Sequence, residues 1–358
     1  MKKTTDLITI LLTASVCLCG VASFFAAKPR EYSEAERRRL ADIPDADFGS
    51  ISDGSYFSDL GIYLTEHFPC RDGLRQLRAF AERYILLDRD CDNIIEHDGY
   101  LSQSDTANHS GDAERTADII NRIVGKYLGG SRCVFSVIPD KTAYLTEYGY
   151  YDTNEYIISE MKRRVTCCEY ADITPFLSLN DYYRTDTHWS QDRITDIADY
   201  YGEVFGVDVS SEYDIVARDG FYGVLAPQYA LPTEPDTLYY LTDDVTDGCT
   251  VYDYETGRTL PVYDADAADM YDTFLHGTRA MLRIDNSRSE SGRELIIFRD
   301  SFASSLAPLL CRGYDRITLI DLRYVGADDL REFVDFHGQD VLFLYSTIVI
   351  RQSRTLAR

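Results

Sequence analysis

Tryptophan is almost missing from this 358-residue chain: there is one, Trp189. Histidine is scarce, with six residues. No two cysteines stand at C-x-x-C spacing, which removes the common zinc and dithiol redox motifs. No internal repeat or low-complexity tract is visible, so a solenoid or a disordered array is not expected. Basic residues are in deficit: 36 Lys and Arg stand against 60 Asp and Glu, a formal net charge of −24. A surface of that sign argues against nucleic acid as a partner, because phosphate binding needs positive charge. It also disfavours electrostatic adhesion to anionic lipid, and it suits a soluble face that works on neutral sugars or small molecules. What the chain has in plenty is tyrosine, 28 residues, suited to stacking on sugars and equally to ordinary strands.

An uncharged apolar run extends from Leu7 to Ala27, after Lys2 and Lys3. Its length matches a bilayer span of about 20 residues and exceeds a secretory h-region of about 7–15. Residues 1–27 are therefore expected to be an uncleaved anchor, with a cleaved signal segment as the alternative. The domain that follows is expected outside the cytoplasm, either on a single-pass anchor at the cell membrane or secreted after cleavage. Of the nine cysteines, Cys17 and Cys19 lie in this run; among the other seven, spacing permits a Cys70–Cys91 disulfide without establishing it.

Residues 28–60 are polar, with Pro29 and Pro44, and read as a juxtamembrane linker. Leu74, Leu77, Phe80, Tyr84 and Leu87 repeat at helical spacing within 61–89. Further helices are predicted at Asp112–Tyr127 and around 154–164. Short apolar runs ended by turn residues predict buried strands at Val134–Ile138, Glu169–Ile173, "ELIIF", "ITLI" and "DVLFLYS". Ser190 reads as the cap of a helix that Gly206 stops, and "GADDLREFVDF" as another helix. Between about 207 and 290 the texture changes to short Tyr, Val and Thr stretches, a β-rich insertion with a hairpin at Glu255-Thr256-Gly257. Strands alternating with helices imply an α/β domain over 61–358 on a mostly parallel sheet flanked by helices.

In such sheets functional residues gather beyond the carboxyl ends of the strands. That rule selects Pro139-Asp140-Lys141, Asp300-Ser301, and Asp321, Arg323 and Tyr324. Ser301 sits where a buried strand turns into a helix, which exposes its hydroxyl beside backbone N–H groups, as a nucleophile needs; it also fits a plain N-cap. In "RTDTHWS", Asp186 and His188 are two apart, so a carboxylate can orient an imidazole that acts as general base. Other readings of the pair stay open: a packed core histidine beside Trp189, a turn-forming aspartate, or a metal pair, the last without a further His or Cys at ligand spacing. Lys141 reads as solvated or as a substrate contact.

"RTDTHWS" resembles the signature of the DHHW family and of the SGNH-hydrolase-like alginate O-acetylation proteins. "FRDSFASSLAPLL" resembles their G-D-S-F block, and "IPDKTAYL", "DGFYGVLAP" and "YFSDLGIYLTEHFPCRDGLRQL" fall in the expected order. The resemblance implies an SGNH-like fold with its catalytic blocks in permuted order, the Asp-x-His block first and the serine block last. It implies Ser301 as nucleophile, His188 as base, Asp186 as its orienting partner, and transfer of acetyl groups to polysaccharide without a cofactor or metal. Backbone N–H groups, with Tyr324 or Arg323, would meet the oxyanion. It also implies an acetyl donor and a multi-spanning membrane acyltransferase as partners; acetyl esterase and non-catalytic envelope-binding protein are the alternatives. Two positions depart from the pattern. Thr187 stands at the second position of D-H-H-W, and Arg299 replaces the glycine of G-D-S, where it narrows the site, meets an anionic group, or points aside.

Overall fold

The computed structural model describes residue 15 and residues 30–33, 38–88, 90–91, 93–104, 109–146 and 152–356. Apart from residue 15, the apolar run Leu7–Ala27 lies outside the described residues. Among them, no helix is long and apolar enough to cross a membrane. The chain divides into two compact units, one made of residues up to Asp92 with Ala226–Pro232, the other of Asn93–Leu225 with Thr233–Arg358.

The first unit is helical. Helix α1 (Phe48–Asp53) starts at Asp47, whose carboxylate accepts from the N–H groups of Gly49 and Ser50. Gly54, at φ 86°, turns the chain directly into α2 (Ser55–Glu66). The stretch expected to be linker is thus helical from Phe48 onward: the aspartate cap and the left-handed glycine override its polar composition. Helix α3 (Arg71–Phe80) buries Ala79, and Arg75 on it donates to the carbonyls of Pro227 and Gln228. Leu74, Leu77 and Phe80 of the same helix are exposed.

The second unit is built on an eight-stranded sheet. Its elements in chain order are β1 (Ile94–His97), β2 (Tyr100–Gln103), α4 (Ser110–Tyr127), β3 (Cys133–Ile138), α5 (Asn154–Arg164), β4 (Glu169–Tyr170), α6 (Thr195–Phe205), β5 (Asp214–Phe221), β6 (Asp236–Thr242), β7 (Cys249–Asp253), β8 (Arg258–Pro261), β9 (Met281–Asn286), β10 (Glu294–Arg299), α7 (Ala303–Leu310), β11 (Arg316–Ile320), β12 (Asp340–Ser346) and α8 (Thr347–Arg351). The strand order is β8-β7-β9-β11-β10-β12-β3-β4. Neighbours from β11 to β4 are parallel, and β9, β7 and β8 extend the sheet antiparallel. The insertion of 207–290 therefore supplies one flank of the sheet and, in β5 with β6, a separate antiparallel ribbon.

Helices on both faces explain why the central strands are apolar throughout rather than alternating. Val134, Leu295, Ile297, Leu342 and Leu344 pack with Ile197 and Tyr201 of α6 and Leu306 of α7. The intervening Phe135, Ile296, Phe298 and Phe343 pack with Ile120 of α4 and Ile157 of α5. Strand-length runs bounded by turn residues made β3, β10, β11 and β12 predictable. Two expected helices differ. Ser190 introduces a single 3-10 turn, Gln191–Arg193, with its hydroxyl on Asp192, and α6 starts only at Thr195. "GADDLREFVDF" forms one 3-10 turn at Leu330–Glu332. There only Ala327, Leu330 and Val334 bury, too narrow an apolar stripe to hold a helix.

Candidate active site

The loops after β3 and β10 meet the segment Tyr182–Ser190 at the carboxyl edge of the parallel strands, and the start of α8 after β12 is bonded to those loops. That segment is a tight hairpin. Tyr182 and Trp189 bridge antiparallel, and the Tyr183 and Ser190 N–H groups donate to the carbonyls of His188 and Asp181. Asp186 sits at the tip. One of its oxygens, Oδ1, accepts both the backbone N–H of His188 at 3.0 Å and the ring Nδ1 at 2.5 Å. Asp186 is therefore a turn former and the partner of the imidazole at once. The two meet because the carboxylate closes a turn, not through the side-by-side geometry of an extended strand.

The other face of the imidazole relay is Ser301. His188 Nε2 lies 2.7 Å from Ser301 Oγ. Asp186 and His188 are buried, and Ser301 is half-buried. Burial acts to push the Asp186 carboxyl up. The charge of His188, and the hydrogen bonds from His188 and from Val224 N–H, outweigh it and hold the group well below the ordinary carboxylate range. Asp186 thus stays anionic, as the orienting member of such a relay must.

Trp189 staples the His188 hairpin to the Ser301 turn. Its indole Nε1 donates to Ser305 Oγ at 2.9 Å and to the Phe302 carbonyl at 3.2 Å, both in the segment that carries Ser301. Gln191 adds a bond to the Ser305 carbonyl. The nucleophile turn is fixed from below by Asp300, which is fully buried. Its oxygens accept the Phe302 N–H at 3.1 Å and the N–H and hydroxyl of Ser346, both at 2.7 Å. Among the described residues the Ser301 N–H has no hydrogen-bond partner. It lies beside the nucleophile, where an oxyanion donor is required.

Several functional neighbours had no sequence signal. The Tyr271 ring stacks on His188 at 3.9 Å and 16°, and its hydroxyl donates to the Ser301 carbonyl at 3.3 Å. Burial pushes its phenol well above its ordinary value, which keeps it a donor. Phe302 closes against the imidazole at 4.7 Å. Asp236 accepts from the Arg184 and Thr185 N–H groups and the Thr185 hydroxyl, pinning the hairpin from the insertion side.

The four positions expected to meet oxyanion or substrate each have other protein partners or face solvent in the structure. Arg323 is turned onto Asp321, to which its guanidinium donates through Nε at 2.9 Å and Nη2 at 2.6 Å. Tyr324 is exposed beside it. Arg299 is buried, its Nη1 on Ser304 Oγ at 2.9 Å and its Nη2 on the Arg279 carbonyl; burial lowers its pKa. It points under the turn, and its backbone is that of a plain strand residue without positive φ, so glycine is not required there. Lys141 is neither solvated nor a substrate contact. It is fully buried, and its Nζ donates to the carbonyls of Tyr183 at 2.9 Å, Arg184 at 3.2 Å and Asp186 at 2.7 Å.

Burial lowers the Lys141 pKa from 10.5 to about 8, against the pull of Asp140, Asp186 and Asp236. Between those values the unfolded chain holds more protons than the folded one, so this group makes stability rise with pH across the window. Below it the full penalty applies, about 3–4 kcal/mol at roughly 1.4 kcal/mol per unit. Lys141→Met removes that penalty but strips three carbonyls of their donor, at about 1–3 kcal/mol each. The variant is expected to be less stable than the wild type near neutral pH in urea titrations, and the gap is expected to widen from pH 8 to 10.5. A gap independent of pH would show that the amine is not desolvated.

No protein-family model matches the sequence, and no curated protein does. Solved structures do match. A DHHW family protein from Eubacterium siraeum superposes with a TM-score of 0.60, covering 74% of this chain and 94% of that one at 19% identity. The chain has the fold of a DHHW family protein. PatB1 of Bacillus cereus, in a structure with a sulfonyl adduct, matches with a TM-score of 0.58, 72% and 95% coverage and 17% identity. The O-acetyltransferase domain of Pseudomonas putida AlgJ gives a TM-score of 0.42, with 74% and 94% coverage and 13% identity. The DHHW likeness agrees with the resemblance carried by "RTDTHWS" and "FRDSFAS".

Proposed function

We propose that this chain is an O-acetyltransferase that passes an acetyl group through Ser301 to a hydroxyl of a cell-surface or secreted polysaccharide. The observation that carries the proposal is the continuous relay from Asp186 Oδ1 through His188 to Ser301 Oγ. His188 Nε2 takes the Ser301 proton as Oγ attacks the donor's acyl carbon. The Ser301 N–H faces the oxyanion, and the leaving group departs with the proton held by His188. A sugar hydroxyl then gives its proton to His188 and attacks the acetyl-serine, which restores Ser301 and releases the ester. The resemblance to alginate O-acetylation proteins supports acetyl as the group and carbohydrate as the acceptor. The acidic surface and abundant tyrosine suit a neutral glycan. In this reading the run Leu7–Ala27 anchors the domain outside the cytoplasm, where a multi-spanning membrane acyltransferase supplies the acetyl donor.

The test is mass spectrometry of neutral oligosaccharides incubated with the protein and an activated acetyl ester. Acetylated sugar is the expected product. Free acetate with no acetylated sugar, across acceptors, would make the protein an acetyl esterase with the same triad.

A further inference from the structure

Seven of the nine cysteines lie outside the apolar run, and the fold sorts four of them into two pairs. Cys133 opens β3, and Cys168 immediately precedes β4. These strands run parallel with Val134 opposite Glu169 and Phe135 opposite Tyr170, so one step back the register sets Cys133 beside Cys168. Neighbouring strands lie about 4.8 Å apart, within the roughly 4.4–6.8 Å Cα separation of a disulfide. Cys133 Sγ lies 3.8 Å from the Ser131 carbonyl, and the neighbouring Cys168 holds the Cys133 thiol below its ordinary pKa. Cys167 competes for the same partner, with its Sγ 3.9 Å from that of Cys168, but it also donates to Asn121 Oδ1 at 3.0 Å and is exposed.

The second pair is in the apolar core. Cys249 opens β7 opposite Asn286 of β9. Asn286 Nδ2 donates to the Cys311 carbonyl at 2.9 Å, which draws the end of α7 onto that strand. Cys249 and Cys311 are both buried in the same apolar cluster, Cys311 Sγ 3.5 Å from the Ala307 carbonyl, and the nearby Cys311 holds the Cys249 thiol below its ordinary pKa. All seven of these cysteines are free thiols in the structure; Cys70 is exposed, and Cys91 is buried with its Sγ toward the Ala79 carbonyl.

We infer that Cys133–Cys168 and Cys249–Cys311 are disulfide sites of this domain. Each pair gives up two protons and two electrons as its S–S bond forms. A disulfide-bearing oxidant of the extracytoplasmic space accepts them and leaves as two thiols. The inference rests on the exported placement given above, because such bonds persist in oxidising compartments. The two links lie toward opposite ends of the sheet. One link ties the edge strand β4 to β3, and the other ties the antiparallel flank to the helix that follows the nucleophile.

Two arms of one experiment separate pairing from placement. In the first, the full chain is reduced, unfolded and refolded in a glutathione redox buffer; remaining thiols are alkylated and peptides are mapped by mass spectrometry. Cys133–Cys168 and Cys249–Cys311 peptides are expected, with Cys70, Cys91 and Cys167 alkylated. Cys167–Cys168, Cys70–Cys91, or full alkylation of all seven would overturn the pairing. In the second, the same map is made on protein taken from cells. Disulfides there support export, and reduced thiols there, beside correct pairing in the first arm, overturn the exported placement alone. A thermal melt guards against failed refolding. Reductant is expected to lower the Tm of the protein oxidised in the first arm by several degrees, and not that of the Cys133→Ala/Cys168→Ala/Cys249→Ala/Cys311→Ala variant treated alike. An equal response in both would overturn the proposal.

Discussion

Ser301→Ala is expected to lower acetyl release from an activated ester by about 10⁴-fold or more while leaving the fold intact. The hydroxyl is the only atom removed, and it is the one 2.7 Å from His188 Nε2. The turn that presents it is held instead by Asp300, Ser346 and Trp189, none of which depends on the serine side chain. His188→Ala should cost a similar factor, and the double variant little more, because nucleophile and base act as one unit. Initial rates with an activated acetyl ester, beside circular dichroism, check all three. Normal turnover in either single variant would refute the relay. A sulfonyl fluoride provides a second readout: it should label Ser301 in the wild type and lose that reaction in His188→Ala, since labelling needs an activated hydroxyl.

Gly223→Ala should disable the protein without touching any of the three relay residues. A β-carbon at Gly223 would stand 2.2 Å from Asp186 Cβ and 2.4 Å from its Cα. Because backbone is involved, no rotamer change relieves the contact. The Gly223 N–H donates to the Thr185 hydroxyl at 2.9 Å, and the next N–H, of Val224, donates to Asp186 Oδ2 at 2.8 Å. Pushing the segments apart breaks both bonds and moves the carboxylate off the imidazole. A displacement near 1 Å costs about 10²-fold in rate, and overpacking of this kind costs about 1–3 kcal/mol in stability. The expected result is a folded protein with a slightly lowered Tm and a kcat/KM reduced at least 10²-fold. Unchanged kcat/KM would show that the two segments separate freely and that Asp186 needs no backbone clamp.

The Asp186–His188–Ser301 relay was legible because two short blocks carry residue types that chemistry restricts, and because strand-length apolar runs placed one of them at a strand end. The supports were not. Tyr271 and Asp236 reach the site from the insertion, where nothing local distinguishes them from other turn and strand residues; Gly223 lies in the block "DGFYGVLAP", which carried the resemblance but assigned the glycine no role. Lys141 was misjudged because a lysine after a strand normally meets water; here three carbonyls of the distant hairpin converge on it. Arg299 raised doubt as a bulky residue at a glycine position. Its side chain found room beneath the turn, something that depends on Ser304 and Arg279 rather than on its neighbours in sequence. The 3-10 turn at Leu330–Glu332 likewise shows how few buried contacts a predicted helix can have.

Trp189 is the only indole in the chain, and it lies fully buried between the hairpin of the base and the turn of the nucleophile, 5.4 Å from Phe302. Excited at the red edge, where the many tyrosines are silent, the wild-type protein therefore emits from one place. Its fluorescence is a built-in gauge of whether those two segments stay joined. Changes in emission on acylation, on unfolding or in Gly223→Ala would report the same few ångströms without any label being introduced.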